Sequence, residues 1–171
     1  MFRLSTETPD DTAEVEYLFD LAFAPGREAL SSYRLRDGIA PLAALSLVAR
    51  EQREPEAGGV AGAIRYWPIL VGNGAGAKKA LLLGPVAVHP THQGEGLGAS
   101  LIWDSLARAR SAGWKRVILV GDAPYYRRFG FRRAEGLSFP PPTNPNRLLA
   151  LALVDGGLDG VRGMVRRFDQ T

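Results

Sequence analysis

The stretch Leu83–Ser100, LGPVAVHPTHQGEGLGAS, constrains this chain more than any other. An apolar run ends at His89-Pro90, a short turn follows, and glycines stand at 94, 96 and 98 before a helical pattern begins. Alternate glycines between a strand and a helix make a loop that offers bare backbone N–H groups to an anion. The helix behind it adds the positive end of its dipole. Such a loop holds a diphosphate with few charged side chains. Two common diphosphate loops do not fit. A dinucleotide fingerprint needs G-x-G-x-x-G, but the run here is G-x-G-x-G, and no acidic residue closes a following strand unless Asp122 takes that part. A P-loop needs G-K-[ST] after its turn, which this loop lacks.

The flanking pattern is mixed α/β. Phe2–Ser5 alternates as an opening strand. Thr8 reads as an N-cap with Pro9 at the first helical position, and Val15, Leu18, Phe19, Ala22 and Phe23 recur at helical spacing until Pro25-Gly26. Glu28–Leu35 reads as a second short helix. Ala44–Arg50 and Val60–Trp67 read as strands, the second extended by Ile69–Val71 past Pro68, with Gly72–Ala77 as a turn. Lys79–Val88 is apolar on both faces and therefore central in the sheet. Pro85 removes a ladder hydrogen bond in its middle, which implies either a bulge or two shorter pieces. A helix over Gly98–Ala112 turns Leu101, Ile102, Leu106 and Ala109 inward and ends at Gly113. Arg116–Val120 is a strand, Pro124–Phe129 a short helix bounded by Gly130, and Ser138–Pro145 a proline-rich loop. Arg147–Val154 and the tail Val161–Phe168 complete the strands. No linker divides the chain, so residues 1–171 read as one domain with 155–171 as a C-terminal strand extension. The expected fold is an α/β (α+β) mixed sheet of about six to seven strands with a bulged central strand, flanked by about four helices.

Composition narrows the chemistry. There is no cysteine, which excludes disulfides, thiolate metal sites and a cysteine nucleophile. Two histidines argue against a histidine-rich metal centre, so no metal is expected. MFRLSTETPDD lacks the apolar core of a signal peptide, and no run has the length of a membrane span. A cytoplasmic protein without a membrane partner is expected. The formal net charge is only +3. The pairs Arg127-Arg128, Arg132-Arg133 and Arg166-Arg167 are solvated surface or attract an anionic ligand, and no motif points to a specific nucleic acid.

Two motifs together resemble a known family. Gln93-Gly94-Glu95-Gly96-Leu97-Gly98 is similar to the [Gln/Arg]-x-x-Gly-x-[Gly/Ala] acyl-coenzyme-A loop of the GNAT superfamily of N-acetyltransferases, preceded as in that family by an apolar strand. Downstream, Tyr125-Tyr126-Arg127-Arg128-Phe129-Gly130-Phe131 resembles the family's Leu-Tyr-x-x-x-Gly-Phe segment. The likeness in element order runs from Phe2 to about Val154 and is specific over Leu82–Phe131.

The resemblance implies direct transfer of an acetyl group from acetyl-coenzyme A (acetyl-CoA), as co-substrate, to a primary amine of a small molecule or protein. Backbone N–H groups of Gly94 through Ala99 would hold the diphosphate, the binding segment being Gln93, Gly94, Glu95, Gly96, Leu97, Gly98, Ala99 and Ser100. Gly94, Gly96 and Gly98 would permit close approach and positive φ. Val86, Ala87 and Val88 would receive the pantetheine arm, with the N–H of Val86 or Ala87 facing the thioester oxyanion. Tyr126 aligns with the family's catalytic tyrosine, or Tyr125 if the register shifts by one. A phenol near ~10 can hydrogen-bond or protonate a thiolate near ~8.5. For the base, His89, Glu28 and a water relay stand open, while His92 reads as exposed. Asp122 either positions the coenzyme or caps the following helix. Arg127 and Arg128 meet coenzyme phosphates or are solvated. Acceptor specificity is expected from the early helices and from the Gly72–Ala77 and Pro140–Pro145 loops, with Arg65, Tyr66 and Trp67 either lining the site or packing. Monomer and homodimer both remain open. The alternative function is a non-catalytic acyl-CoA sensor or protein-interaction module on the same fold.

Overall fold

A computed structural model describes residues 1–23, 31–52 and 57–168. The expected helix end at Pro25-Gly26 and the candidate base Glu28 lie outside these residues. In chain order the strands are β1 (Phe2–Thr6), β2 (Leu47–Gln52), β3 (Ala57–Val71), β4 (Lys78–Val88), β5 (Arg116–Val120), β6 (Arg132–Arg133), β7 (Leu137–Ser138), β8 (Leu148–Ala152) and β9 (Gly163–Arg167). The helices are α1 (Thr12–Phe23), α2 (Ser31–Arg34), α3 (Leu97–Ser111) and α4 (Ala123–Tyr126). The sheet runs β1-β2-β3-β4-β5-β8-β6, with β9 on β3 and β7 on β9. Pairing is antiparallel from β1 to β4. It turns parallel at β4–β5, where α3 makes the crossover, and antiparallel again at β5–β8 and β8–β6. The two strands beyond the expected seven are the two-residue pieces β6 and β7.

Period-two alternation places a layer on each face of the sheet. On one face Val15, Leu18 and Phe19 of α1 pack on Val48, Val60, Ala63 and Ala87. On the other, Leu97, Leu101, Ile102, Leu106 and Ala109 of α3 pack on Leu47, Ile64, Tyr66, Leu81 and Leu83. Tyr66 is fully buried and its hydroxyl lies 2.7 Å from Ser105 Oγ, so neither polar atom is stranded in the core.

Two local details differ from the sequence pattern, and a third, β3 running past Pro68, agrees with it. β2 starts at Leu47 rather than Ala44, because the amides of Leu45 and Ser46 and the Ser46 hydroxyl all bond the Leu42 carbonyl and hold a turn there. β3 continues through Pro68 as one strand. Tyr66 sends its carbonyl to the Leu42 amide, and Pro68, two residues on, turns its backbone to the same side, which lies between the β2 pairing that ends at Ile64 and the β9 pairing that begins at Ile69. The N–H that proline lacks has no ladder partner to lose there. α3 begins at Leu97, one residue before Gly98.

Pro85 marks a bulge. Tyr66 pairs with Leu83 and Ile64 with Val86, so Gly84 and Pro85 together oppose Arg65. Arg65 is buried and held by both carboxylate oxygens of Glu7, at 2.9 and 2.8 Å, and by Glu16 at 2.6 Å.

Leu101 is wholly inaccessible on α3. Leu101→Ala is expected to cost about 2–5 kcal/mol. The check is a lower urea midpoint with an unchanged denaturant slope.

Candidate active site

β4 and β5 separate after a short parallel contact. Leu81 pairs with Val117 and Leu82 with Ile118; beyond them β5 continues to Val120 while β4 passes through the bulge to Val88. His89 donates its N–H to the Ala61 carbonyl at 2.7 Å, and the Ala87 carbonyl lies 3.3 Å from where a Gly62 side chain would start. Alternate residues of a strand turn their backbone groups to the same side. Ala87 therefore faces β3, and Val86 and Val88 face the opening. Ala87 is thereby corrected as an oxyanion donor: its amide is directed into the sheet and its methyl lies under α1. Val86 keeps that geometry.

Two cavities meet in the opening, and Val86, Tyr125 and Tyr126 border both. The first, about 610 Å³, follows Val86–Val88 to Gln93, Gly94, Gly96, Leu97, Gly98 and Ala99. The second, about 420 Å³, lies across the bulge toward Ser32, Tyr33, Arg36, Asp122 and Arg147.

The glycine loop is built as an anion cradle, with corrections. Gly94 and Gly96 have φ of 85° and 79°, and Gly96 is the α3 N-cap. Gly98 is not in the left-handed region; it sits in the first helical turn, where a side chain would start 3.5 Å from both the Tyr125 hydroxyl and Val88 Cγ2. Leu97 sends its side chain into the core. Ser100 cannot offer its amide, because that N–H and its hydroxyl both bond the Gly96 carbonyl, at 3.0 and 3.2 Å. The N–H groups of the N-cap and first turn, Gly96 to Ala99, precede Ser100, the first intrahelical donor, and point out of the helix start. Glu95 would oppose an anion, but its carboxylate is drawn to His92 Nδ1 at 3.2 Å, and its own side chain is exposed. Arg128 lies at the mouth of this cavity, its guanidinium 4.5 Å over the Tyr125 ring. Arg127 borders neither cavity.

Tyr126 is the more enclosed of the two tyrosines. Its ring packs on Phe131 and Phe129 and fits against Gly121, where even a methyl group would come within 2.6 Å of it. Burial, then the neighbouring Tyr125, pushes its phenol up to about 12; Arg147 opposes this and Asp122 adds to it. The Tyr125 hydroxyl points instead to the start of α3. His89 is not brought to either tyrosine. Its Nδ1 accepts the Thr91 amide at 3.2 Å and lies 2.8 Å from the Thr91 hydroxyl, and its ring borders a separate cavity beside Glu14, Tyr17 and Val60. It borders neither of the two cavities that meet at Val86. Asp122 occupies the α4 N-cap, but its side chain makes no capping bond and faces the second cavity, away from the glycine loop. Arg65, Tyr66 and Trp67 pack: Trp67 Nε1 donates to the Ile39 carbonyl at 2.7 Å, and none of the three borders the two cavities.

A sequence model of the acetyltransferase (GNAT) domain matches residues 43–133, more than half of the chain. The chain belongs to the GNAT acetyltransferase family. It is 29% identical over 166 residues to the Escherichia coli K12 protein described as uncharacterized N-acetyltransferase YhbS, covering 95% of this chain and 93% of that one. The crystal structure of E. coli YhbS in complex with CoA superposes with a TM-score of 0.81 at 28% identity, over 98% of this chain and 90% of the other. A GNAT family acetyltransferase from Brucella melitensis in complex with acetyl-CoA matches at 34% identity and a TM-score of 0.71, over 99% and 97%. Among the described residues of this GNAT acetyltransferase, no helix is long and apolar enough to cross a membrane and no cluster of side chains has the makings of a metal site.

Sequence reasoning missed Ser32, Tyr33, Arg36 and Arg147 in the second cavity. Arg147 directly follows the proline-rich loop, and only that juncture signalled it. The Gly72–Ala77 loop lies at the other end of β4 and borders neither cavity.

Because the folded chain holds the Tyr126 proton more tightly than the unfolded chain does, its contribution to stability is complete below about pH 10 and is lost as pH rises toward about 12. The urea midpoint is expected to fall over that window, and to fall less in Tyr126→Phe.

Proposed function

We propose that this GNAT acetyltransferase moves an acetyl group from acetyl-CoA to a primary amine by direct attack of the neutral amine on the thioester, the C–N bond forming and the C–S bond breaking, with the proton lost by nitrogen passing to water and the coenzyme leaving as thiolate. The observation that carries the reading is the parting of β4 from β5, which exposes the Val86 and Val88 backbone exactly where two cavities join beside Tyr126. The first cavity suits a long diphosphate ligand. The amides from Gly94 to Ala99 and the α3 dipole hold the diphosphate, with Arg128 at the rim. The free edge of Val86 and Val88 takes the amides of the pantetheine arm as an added strand would be taken. The Val86 N–H faces the thioester oxygen as it becomes an oxyanion. The second cavity brings the amine to the opposite side of the same carbonyl.

Tyr126 serves the leaving sulfur, with Tyr125 in that role if the sulfur lies nearer α3. A phenol at about 12 does not surrender its proton to a thiolate whose own pKa is near ~8.5. Tyr126 therefore stays protonated and stabilises the thiolate by donating a hydrogen bond. Most of the acceleration comes from positioning and from the oxyanion contact.

Calorimetry with acetyl-CoA, followed by thiol release over an amine panel, tests the reading; no binding at millimolar coenzyme would overturn it. Tyr126→Phe is expected to lower kcat on the order of a hundredfold with little change in coenzyme affinity. Gly96→Ala is expected to weaken acetyl-CoA binding about tenfold, since an alanine costs about 1–2 kcal/mol to hold in the left-handed conformation that the cradle requires. Calorimetry of the variant checks it.

A further inference from the structure

The second cavity has an uneven charge pattern around its apolar floor of Phe23, Leu82, Leu83 and Val120. Asp122 is the one carboxylate among its described lining residues, facing Arg147 and Arg36. Asp122 stands at the N-cap of α4 with its carboxylate unused as a cap, and no ion pair engages it. Arg147 is set beside it by the chain: the Gly121 amide donates to the Arg147 carbonyl at 2.9 Å, tying the entry to β8 to the end of β5. Its side chain is exposed toward the cavity. Arg36 is fixed in the wall, its guanidinium 4.1 Å from the Tyr33 ring and 4.8 Å from the Trp67 ring. Arg147 and Asp122 line the same cavity as Tyr126.

An acceptor arrives as an ammonium ion, which Asp122 attracts and Arg147 repels. Among the described lining residues, a purely cationic acceptor, such as a diamine, meets Arg147 as well as Asp122. An acceptor that also carries an anion satisfies both groups. Resting on the acetyl-transfer reading above, we propose that the acceptor is an amine bearing an anionic group, a carboxylate or a phosphate, a few bonds from its nitrogen, with Asp122 receiving the ammonium and Arg147 the anion. The pair sets specificity rather than chemistry. It fixes the orientation in which the nitrogen approaches Val86.

The test is steady-state thiol release with α-amino acids, their carboxamides, O-phosphoethanolamine and ethylenediamine. Carboxamides carry less basic amines, so the decisive readout is how each ratio changes on substitution at 147. The wild type is expected to favour an anionic acceptor over its neutral partner at least tenfold in kcat/KM. Arg147→Gln should collapse that ratio toward one, mainly through KM, while Arg147→Lys restores part of it. Arg127→Gln, remote from both cavities, should leave the ratio alone. Whether the carboxylate or the phosphate series responds identifies the anion. A diamine used as well as the anionic acceptors, or a ratio unmoved in Arg147→Gln, overturns the proposal. Calorimetry of N-acetylated amino acids and their amides on the CoA-loaded protein gives a readout without turnover. Preference for the acid with no turnover upholds anion recognition and overturns acetyl transfer; turnover without preference does the reverse.

Discussion

The site depends on β4 being paired on both sides at Leu81 and Leu82 and on one side past its bulge. At Leu81 and Leu82 it has β3 on one edge and β5 on the other, and from Ala80 to Leu83 its side chains are buried on both faces. Past the Gly84-Pro85 bulge it keeps only β3. The backbone groups of Val86 and Val88 are then left inside a crevice instead of inside a ladder. Unpaired amides and carbonyls in a partly buried edge are costly unless water or a ligand meets them. The same geometry that leaves them open makes them suited to a ligand rich in amides. Arg65 stands opposite the bulge on β3, and its bonds to Glu7 and Glu16 tie that point to β1 and α1.

The two cavities handle charge in contrasting ways. The larger uses backbone amides and a helix start, with a single arginine at its rim, so its attraction for an anion comes from orientation rather than from net charge. The smaller presents whole charges: Asp122 and Arg147 on the strand ends and Arg36 clamped between aromatic rings. Tyr126 lies where they meet, and its burial keeps the phenol protonated across the ordinary range of pH. A hydrogen-bond donor that keeps its proton at neutral pH is suited to a leaving thiolate.

Much of the fold was legible because periodicity reports burial directly. The α3 stripe Leu101, Ile102, Leu106 and Ala109 and the two-faced apolar run of β4 led to the right layers. The glycine loop and the Tyr-x-x-x-Gly-Phe segment carried the family. Boundaries were less legible: β2 was read to start at Ala44 because a hydrogen-bonded turn at Leu42 has the same apolar composition as a strand. Which backbone amides face the crevice was also hidden, since direction depends on the phase of pairing with β3; His89 bonding Ala61 decides it for Val86, Ala87 and Val88. His89 itself looked reactive in sequence, yet its ring nitrogen is engaged by Thr91 and its ring borders a separate cavity.

The sequence by itself determined the local matters. Glycines at 94 and 96 permit a left-handed loop before a helix, Pro85 interrupts a buried strand, and two tyrosines precede a Gly-Phe turn. These are short-range consequences of sterics and hydrogen-bonding capacity. Tertiary structure alone decided the smaller cavity, where Tyr33 and Arg36 from one part of the chain meet Asp122 and Arg147 from others. No periodicity records such a meeting, because it arises from the parallel crossover through α3 and the return of β8 onto β5. The left-handed glycine loop is written in the sequence, while the charges lining the smaller cavity are brought together only by the tertiary fold.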